Sequence, residues 1–109
     1  MKYRYRDTSG STFATLKRTH HVGKLGKLIY IKGYVYHGKY QTNHSAVLVR
    51  GEKGTARFAN FAWGYSGTGP QGLVTFLRNL NIEEEQIKKV LNISWDGWNE
   101  VGEKWKITL

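Results

Sequence analysis

Two groups of residues in this 109-residue chain have types and spacing that bear on chemistry: four histidines, and a glycine-rich aromatic loop. His20, His21, His37 and His44 all fall in the N-terminal part. Metal-free cleavage of a phosphodiester needs a histidine to move a proton and Lys or Arg to steady the developing charge. His37 and His44 are therefore the candidate residues of a small metal-independent phosphodiesterase. A metal site is not expected, because the four histidines match no HExxH-like spacing and lack adjacent carboxylates. A His44–Ser45 dyad fails on geometry, since neighbouring strand residues point to opposite faces. Asp7, Asp96, Glu100 and Glu103 are too scattered to argue as paired carboxylates. With no cysteine there is no thiolate nucleophile or disulfide framework, which fits a reducing, cytoplasmic setting. No cofactor is implied, and the balance favours a binding protein over an enzyme.

The second group is Phe61–Leu73, FAWGYSGTGPQGL. Gly64, Gly67 and Gly69 permit a backbone that presents successive N–H groups, as in an anion nest, and the segment feeds into a helix start. Ser66 and Thr68 add hydroxyls, and Trp63 and Tyr65 add rings that could stack on a base. Residues Trp63, Tyr65, Ser66, Gly67, Thr68 and Gly69 thus form a candidate site for a nucleotide or another phosphate-bearing ligand. The same glycines would also serve a tight strand-to-helix connection. The spacing is neither a Walker A loop nor the dinucleotide fingerprint, so a P-loop or Rossmann fold is not expected.

The pattern F-x-W-G-Y-x-G-x-G-P-x-x-L, carried here by Phe61, Trp63, Gly64, Tyr65, Gly67, Gly69, Pro70 and Leu73, resembles the hallmark of a family of small uncharacterised proteins. That family occurs in bacteria, phages and mobile elements, and its members carry versions close to FEWGYGGSGPAQLALAIL. The resemblance runs from about Ser45 to the end, where Lys104–Thr108 is similar to the family's closing tryptophan strand. Ala62 replaces a frequent Glu, Thr68 replaces Ser, and Gly72 interrupts the alanine-rich helix start. The resemblance implies a setting, not a chemistry. It points to a phage-type protein in a host cytoplasm, with a counter-defence role of sequestering a nucleotide signal or covering guide or target nucleic acid. An anti-CRISPR-like inhibitor acting by protein contact is the alternative.

Charge narrows the partner. The net charge is +9, and residues 1–60 hold twelve Lys/Arg against Asp7 and Glu52, whereas residues 61–109 hold five against six acids. A one-sided excess of this kind implies an anionic partner: a nucleotide, a nucleic acid or an acidic protein surface. Tyr30, Lys32, Tyr34 and Tyr36 share one face of a strand, and Arg4 and Arg6 alternate with Tyr3 and Tyr5 on another. Rings that stack bases beside cations that follow phosphates are the equipment of single-strand binders. Lys24 and Lys27 extend the candidate surface. Aromatic residues of this kind also pack cross-strand in ordinary sheets.

The elements that must position these groups follow from periodicity. Met1–Asp7 alternates as a strand, Thr8–Ser11 reads as a turn, and Thr12–Thr19 reads as a second strand returning as a hairpin. His20–Lys27 reads as a loop. Leu28–His37 is the strongest strand, with Ile29, Ile31 and Val35 on its aliphatic face and Gly33 marking a bulge or close approach. Ser45–Arg50 and Thr55–Trp63 follow as strands joined by a turn at Gly51–Gly54. Pro70 opens a helix with Leu73, Phe76, Leu77 and Leu80 on its buried side. Asn81 reads as the N-cap of a second helix, with Glu84 completing a capping box. Asp96–Gly97 reads as a turn, and Glu103–Leu109 as a final strand with Trp105, Ile107 and Leu109 inward.

The expected fold is therefore one α+β domain over residues 1–109: a mainly antiparallel sheet, two consecutive helices and a closing C-terminal strand. Residues 1–44 supply basic, tyrosine-rich strands, and residues 45–109 carry the motif. No membrane span or signal peptide is expected. The oligomeric state stays open, a homodimer included.

Overall fold

Alternating burial along the strands builds the molecule. The computed structural model describes residues 2–40, 42–95 and 100–109. Five strands form one sheet in the order β1-β4-β3-β2-β5, comprising β1 (Tyr3–Arg6), β2 (Leu28–His37), β3 (Asn43–Gly51), β4 (Gly54–Phe58) and β5 (Gly102–Thr108). All neighbours run antiparallel except β1 and β4, which pair in parallel. Helices α1 (Thr12–Leu16), α2 (Thr68–Asn79) and α3 (Glu84–Leu91) and a 3-10 turn at Thr19–Lys24 complete the chain. Ile31, Val35, Val47, Val49, Phe58 and Ile107 from the sheet join Leu73, Phe76, Leu77, Ile87 and Val90 from the helices in one core. Phe58, Phe61 and Phe76 meet at its centre, with centroids 5.2–6.3 Å apart. The radius of gyration, 13.1 Å, matches the value of about 13 Å for a single domain of this length. The α+β expectation holds.

The N-terminal segment departs from the expected hairpin. Thr12–Leu16 is helical because Ser11 caps it, its Oγ accepting from the Ala14 N–H at 3.1 Å. Tertiary bonds then override the β-branched local pattern: Thr12 Oγ1 donates to the Asn60 carbonyl at 2.8 Å and buried Thr15 Oγ1 to Asp7 Oδ2 at 2.6 Å. With no hairpin partner, β1 reaches β4 instead, placing Tyr3 opposite Gly54 and Arg6 opposite Arg57. The expected loop at 20–27 contains the 3-10 turn, whose Val22 joins the core together with Leu25 just beyond it.

Asn81 is not an N-cap. It sits at φ 62° just past α2, its N–H donating to the Arg78 carbonyl while the Ile82 N–H donates to that of Leu77. That pair of bonds is a Schellman ending, with Ile82 and Leu77 buried together as its apolar contact. Glu83 is the N-cap of α3. The charges along α3 complement its dipole, with Glu84 and Glu85 in the first turn and Lys88 and Lys89 in the last.

Gly33 meets both of its expectations. The β2–β5 register shifts between Gly33 and Tyr34, and the Trp105 indole lies so close that a Cβ on Gly33 would stand 2.2 Å from its Nε1. Two strand ends differ from the expected pattern: Ile29 is exposed where the register with β3 slips, and Leu109 is 52% exposed beyond the end of β5. The expected turn at Asp96–Gly97 lies outside the described residues. Among the described residues, no helix is long and apolar enough to cross a membrane.

Candidate nucleic-acid interface

All the helices pack on one face of the sheet, so the other face is set by which side chains alternate outward. Directly opposed residues share a face. One row across the five strands therefore reads Arg4, Thr55, Arg50, Tyr30, Thr108, and the next reads Arg6, Arg57, Leu48, Lys32, Lys106. Ala46 with Tyr34, and His44 with Tyr36, continue the pattern on β3 and β2. Among the described residues no helix covers these rows. The rows contain six cations, and among the described residues Glu103 is the carboxylate that reaches them, 3.6 Å from Lys32 Nζ.

Rings and cations interleave on this face. The Arg57 guanidinium lies 4.5 Å from the Tyr36 ring centroid and 5.9 Å from that of Tyr34. Lys106 Nζ lies 4.5 Å and Lys32 Nζ 5.7 Å from that of Tyr30. Such contacts hold a cation in place without using its N–H groups, which stay available to a ligand. At the β1 end the face deepens into a groove of about 340 Å³ whose lining includes Arg4, Arg6, Arg50, Thr55 and Arg57 and no acid. These four arginines have no carboxylate partner among the described residues, and the buried Arg57 Nε has no acceptor.

Most of the expected surface residues meet here, but not all. Arg4, Arg6, Tyr30, Lys32, Tyr34 and Tyr36 share the open face. Lys24 belongs to the 3-10 turn, which packs on the covered side, and Lys27 sits beside the Glu52 turn, its N–H donating to Glu52 Oε1 at 3.2 Å. Tyr3 and Tyr5 point inward: Tyr5 stacks on His21 with centroids 3.7 Å apart, and the Tyr3 hydroxyl bonds His21 Nδ1. Burial, His20, Arg18 and Lys24 all hold the His21 pKa below its ordinary value. Arg50, Arg57 and Lys106 were not singled out from sequence. Their outward alternation was legible, but only the strand order brings them beside the tyrosines.

The glycine-rich loop is assembled differently. Trp63 is 0% exposed, its ring edge-on to Trp95 at 5.6 Å and Trp105 at 5.7 Å, so it offers no face to a base. Tyr65 is half exposed and meets Trp95 edge-on. Gly64 takes φ 82° because the loop is pressed onto the end of α3: its N–H donates to the Leu91 carbonyl, and a Cβ would stand 2.4 Å from the Ile93 carbonyl oxygen. Gly67 is the N-cap of α2, and Thr68, Gly69 and Pro70 form its first turn, where Pro70 removes one N–H. The adjoining groove is lined by Tyr65, Ser66, Gly67, Gln71 and Asn92 among others, and by no Lys or Arg.

The candidate pair His37 and His44 does not converge. His37 lies opposite Asn43 and His44 opposite Tyr36, one residue apart in register and so on opposite faces. His37 Nδ1 bonds Asn43 Oδ1 and His44 Nε2 bonds Thr42 Oγ1, each at 3.0 Å. No cluster able to hold a metal ion occurs among the described residues.

No protein-family model, curated protein or solved structure matches the chain. The motif resemblance therefore stands on its own residues, and the functional reading on the geometry of the open face.

Proposed function

We propose that the protein is a non-enzymatic binder of single-stranded nucleic acid, using the open face of its sheet. The observation that carries this reading is the uncovered surface on which, among the described residues, six cations face one carboxylate and are interleaved with Tyr30, Tyr34 and Tyr36. Phosphates would sit on Arg4, Arg6, Arg50, Arg57 and Lys106, and unpaired bases on the partly exposed tyrosine rings. A duplex hides its base faces and could use only the cations, so single strands are the favoured class. In the mobile-element setting that the motif implies, covering a guide or target strand is the counter-defence role such a face would serve.

The test is fluorescence anisotropy with labelled single-stranded and duplex oligonucleotides at about 50 and about 200 mM salt. Wild type should prefer the single strand, and Lys106→Gln and Tyr34→Leu should each weaken it. Loss of affinity in Lys106→Gln with none in Tyr34→Leu would keep the phosphates on the cations and remove the bases from the tyrosine rings, overturning the preference for single strands. Absence of binding at low salt would end the reading.

A further inference from the structure

The cations of the open face are unevenly placed, and their distribution says what each part binds. On β2 and β5, Lys106 rests on Tyr30, and Lys32 shares that ring while also lying 3.6 Å from Glu103. On the β1 side the arrangement is dense. Arg6 stands directly opposite Arg57, and Arg4 opposite Thr55, which in turn opposes Arg50. With strands about 4.8 Å apart and alternate residues about 7 Å apart along a strand, the four arginines root in one small patch. They line a recess, not a flat track, and none has a carboxylate partner among the described residues. Arg57 Nε is buried without an acceptor, which a free energy of folding does not favour unless a ligand supplies one. Thr55 lines the same recess and carries a hydroxyl that can donate.

A phosphodiester within a strand carries one charge and is matched by one or two cations. A phosphomonoester carries about −1.5 to −2 near neutral pH and has three strong acceptor oxygens. Planar guanidinium forks suit those oxygens in bidentate pairs. Position supports the same assignment. β1 is the last strand on its side of the sheet, so a chain of nucleotides crossing from the tyrosines toward β1 reaches the arginine recess where the face ends.

We infer that the recess formed by Arg4, Arg6, Arg50, Thr55 and Arg57 is a seat for a terminal phosphomonoester of a nucleotide ligand, so that the protein recognises phosphorylated ends. This inference rests on the nucleic-acid reading for the strand that leads into the seat, but the seat itself can be tested apart from it. The same chemistry is offered by a strand end and by a free mononucleotide, and the experiment separates the two.

Affinities are measured by isothermal titration of the full chain with one short oligonucleotide bearing a 5′-phosphate, a 3′-phosphate or hydroxyl ends. A hydroxyl-ended strand longer by one nucleotide controls for added charge. One phosphorylated end should bind at least about tenfold more tightly than the longer control. An Arg4→Gln/Arg6→Gln variant, altered only at exposed positions, should lose that preference, binding the phosphorylated strand and the longer hydroxyl-ended control with affinities within about twofold of each other. Equal affinities for phosphorylated and hydroxyl ends, or a preference that survives in the variant, would overturn the seat and leave strand binding standing. If no oligonucleotide binds, AMP and pyrophosphate become the probes. Binding of either that is lost in the variant would support the seat for a free nucleotide and reject the strand, whereas binding of neither would reject both.

Discussion

The guanidinium of Arg57 lies 4.5 Å from the ring centroid of Tyr36, although the two residues come from strands separated by β3. The arginine reaches past Ala46, whose small side chain opposes Tyr34 and lies in the same face. A larger residue at that position would stand between cation and ring. The contact therefore joins the arginine-rich edge to the tyrosine-rich centre and makes one surface out of two sequence-distant segments. It also fixes the direction in which the Arg57 fork is presented.

If phosphates bind along that surface, affinity must fall with salt through counterion release, at about 0.7 per phosphate contact for single strands. Arg57→Gln, Arg4→Gln and Lys106→Gln should each lower the slope of log affinity against log salt by about that amount. Tyr34→Leu should lower affinity while leaving the slope unchanged, because it removes stacking and no charge. Anisotropy titrations over a salt series read both quantities. A slope that none of the cation variants alters would place the phosphates elsewhere on the molecule.

Tyr65→Ala separates the open face from the glycine-rich loop. Tyr65 is half exposed, and its ring meets Trp95 at 5.6 Å. With no Lys or Arg lining the adjoining groove, Tyr65→Ala is expected to leave oligonucleotide affinity within about twofold of wild type. A loss of tenfold or more in the same titration would restore the loop as the binding site.

Gly33→Ala tests the packing that holds the sheet together. A Cβ there would stand 2.2 Å from Trp105 Nε1 and 2.3 Å from its Cε2, in a core that includes Trp63 at 5.7 Å from the same indole. The ring must move, and overpacking of this kind costs about 1–3 kcal/mol. Urea unfolding should show the lowered midpoint. Trp105→Leu in the Gly33→Ala background should cost less than it does in wild type, because the two changes share one space.

Much of this was legible in the sequence because period-two alternation reports a face without reporting a neighbour. Leu28–His37, Ser45–Arg50 and the inward Trp105 and Ile107 could be read that way, as could the apolar stripe of Leu73, Phe76 and Leu77. What alternation cannot supply is strand order. Arg57 and Tyr36 look unrelated until β4 and β2 are both placed against β3. The Thr12–Leu16 helix was missed because its decisive bonds, from Thr12 to Asn60 and from Thr15 to Asp7, are non-local. Asn81 was misread for a different reason: a short polar residue suits both an N-cap and the left-handed residue that ends a helix. Trp63 looked available because composition around it was loop-like, yet its environment is a cluster of tryptophans.

Two titrating groups near β1 should divide the acid limb of stability into separate windows. Asp7 is buried, which pushes its carboxyl up, but bonds from the Ser9 hydroxyl and N–H, Thr15 Oγ1 and the Ala59 N–H outweigh that and hold it below its ordinary 3.8. A depressed carboxyl favours the folded state above the unfolded pKa, and that contribution is lost as pH falls below 3.8 and through the folded value. His21 acts at higher pH. Its folded pKa lies below 6.5, so the unfolded chain takes up the proton first, and stability declines as pH falls from 6.5 toward the folded value. Urea midpoints measured across pH should therefore show two descents. Asp7→Asn should lower stability at neutral pH by about 1–3 kcal/mol and flatten the lower descent. His21→Phe keeps a ring against Tyr5 and should flatten the upper descent alone. A single descent that neither variant alters would show that other groups govern the acid limb, and that the contacts of Asp7 and His21 do not set the pH dependence of the fold.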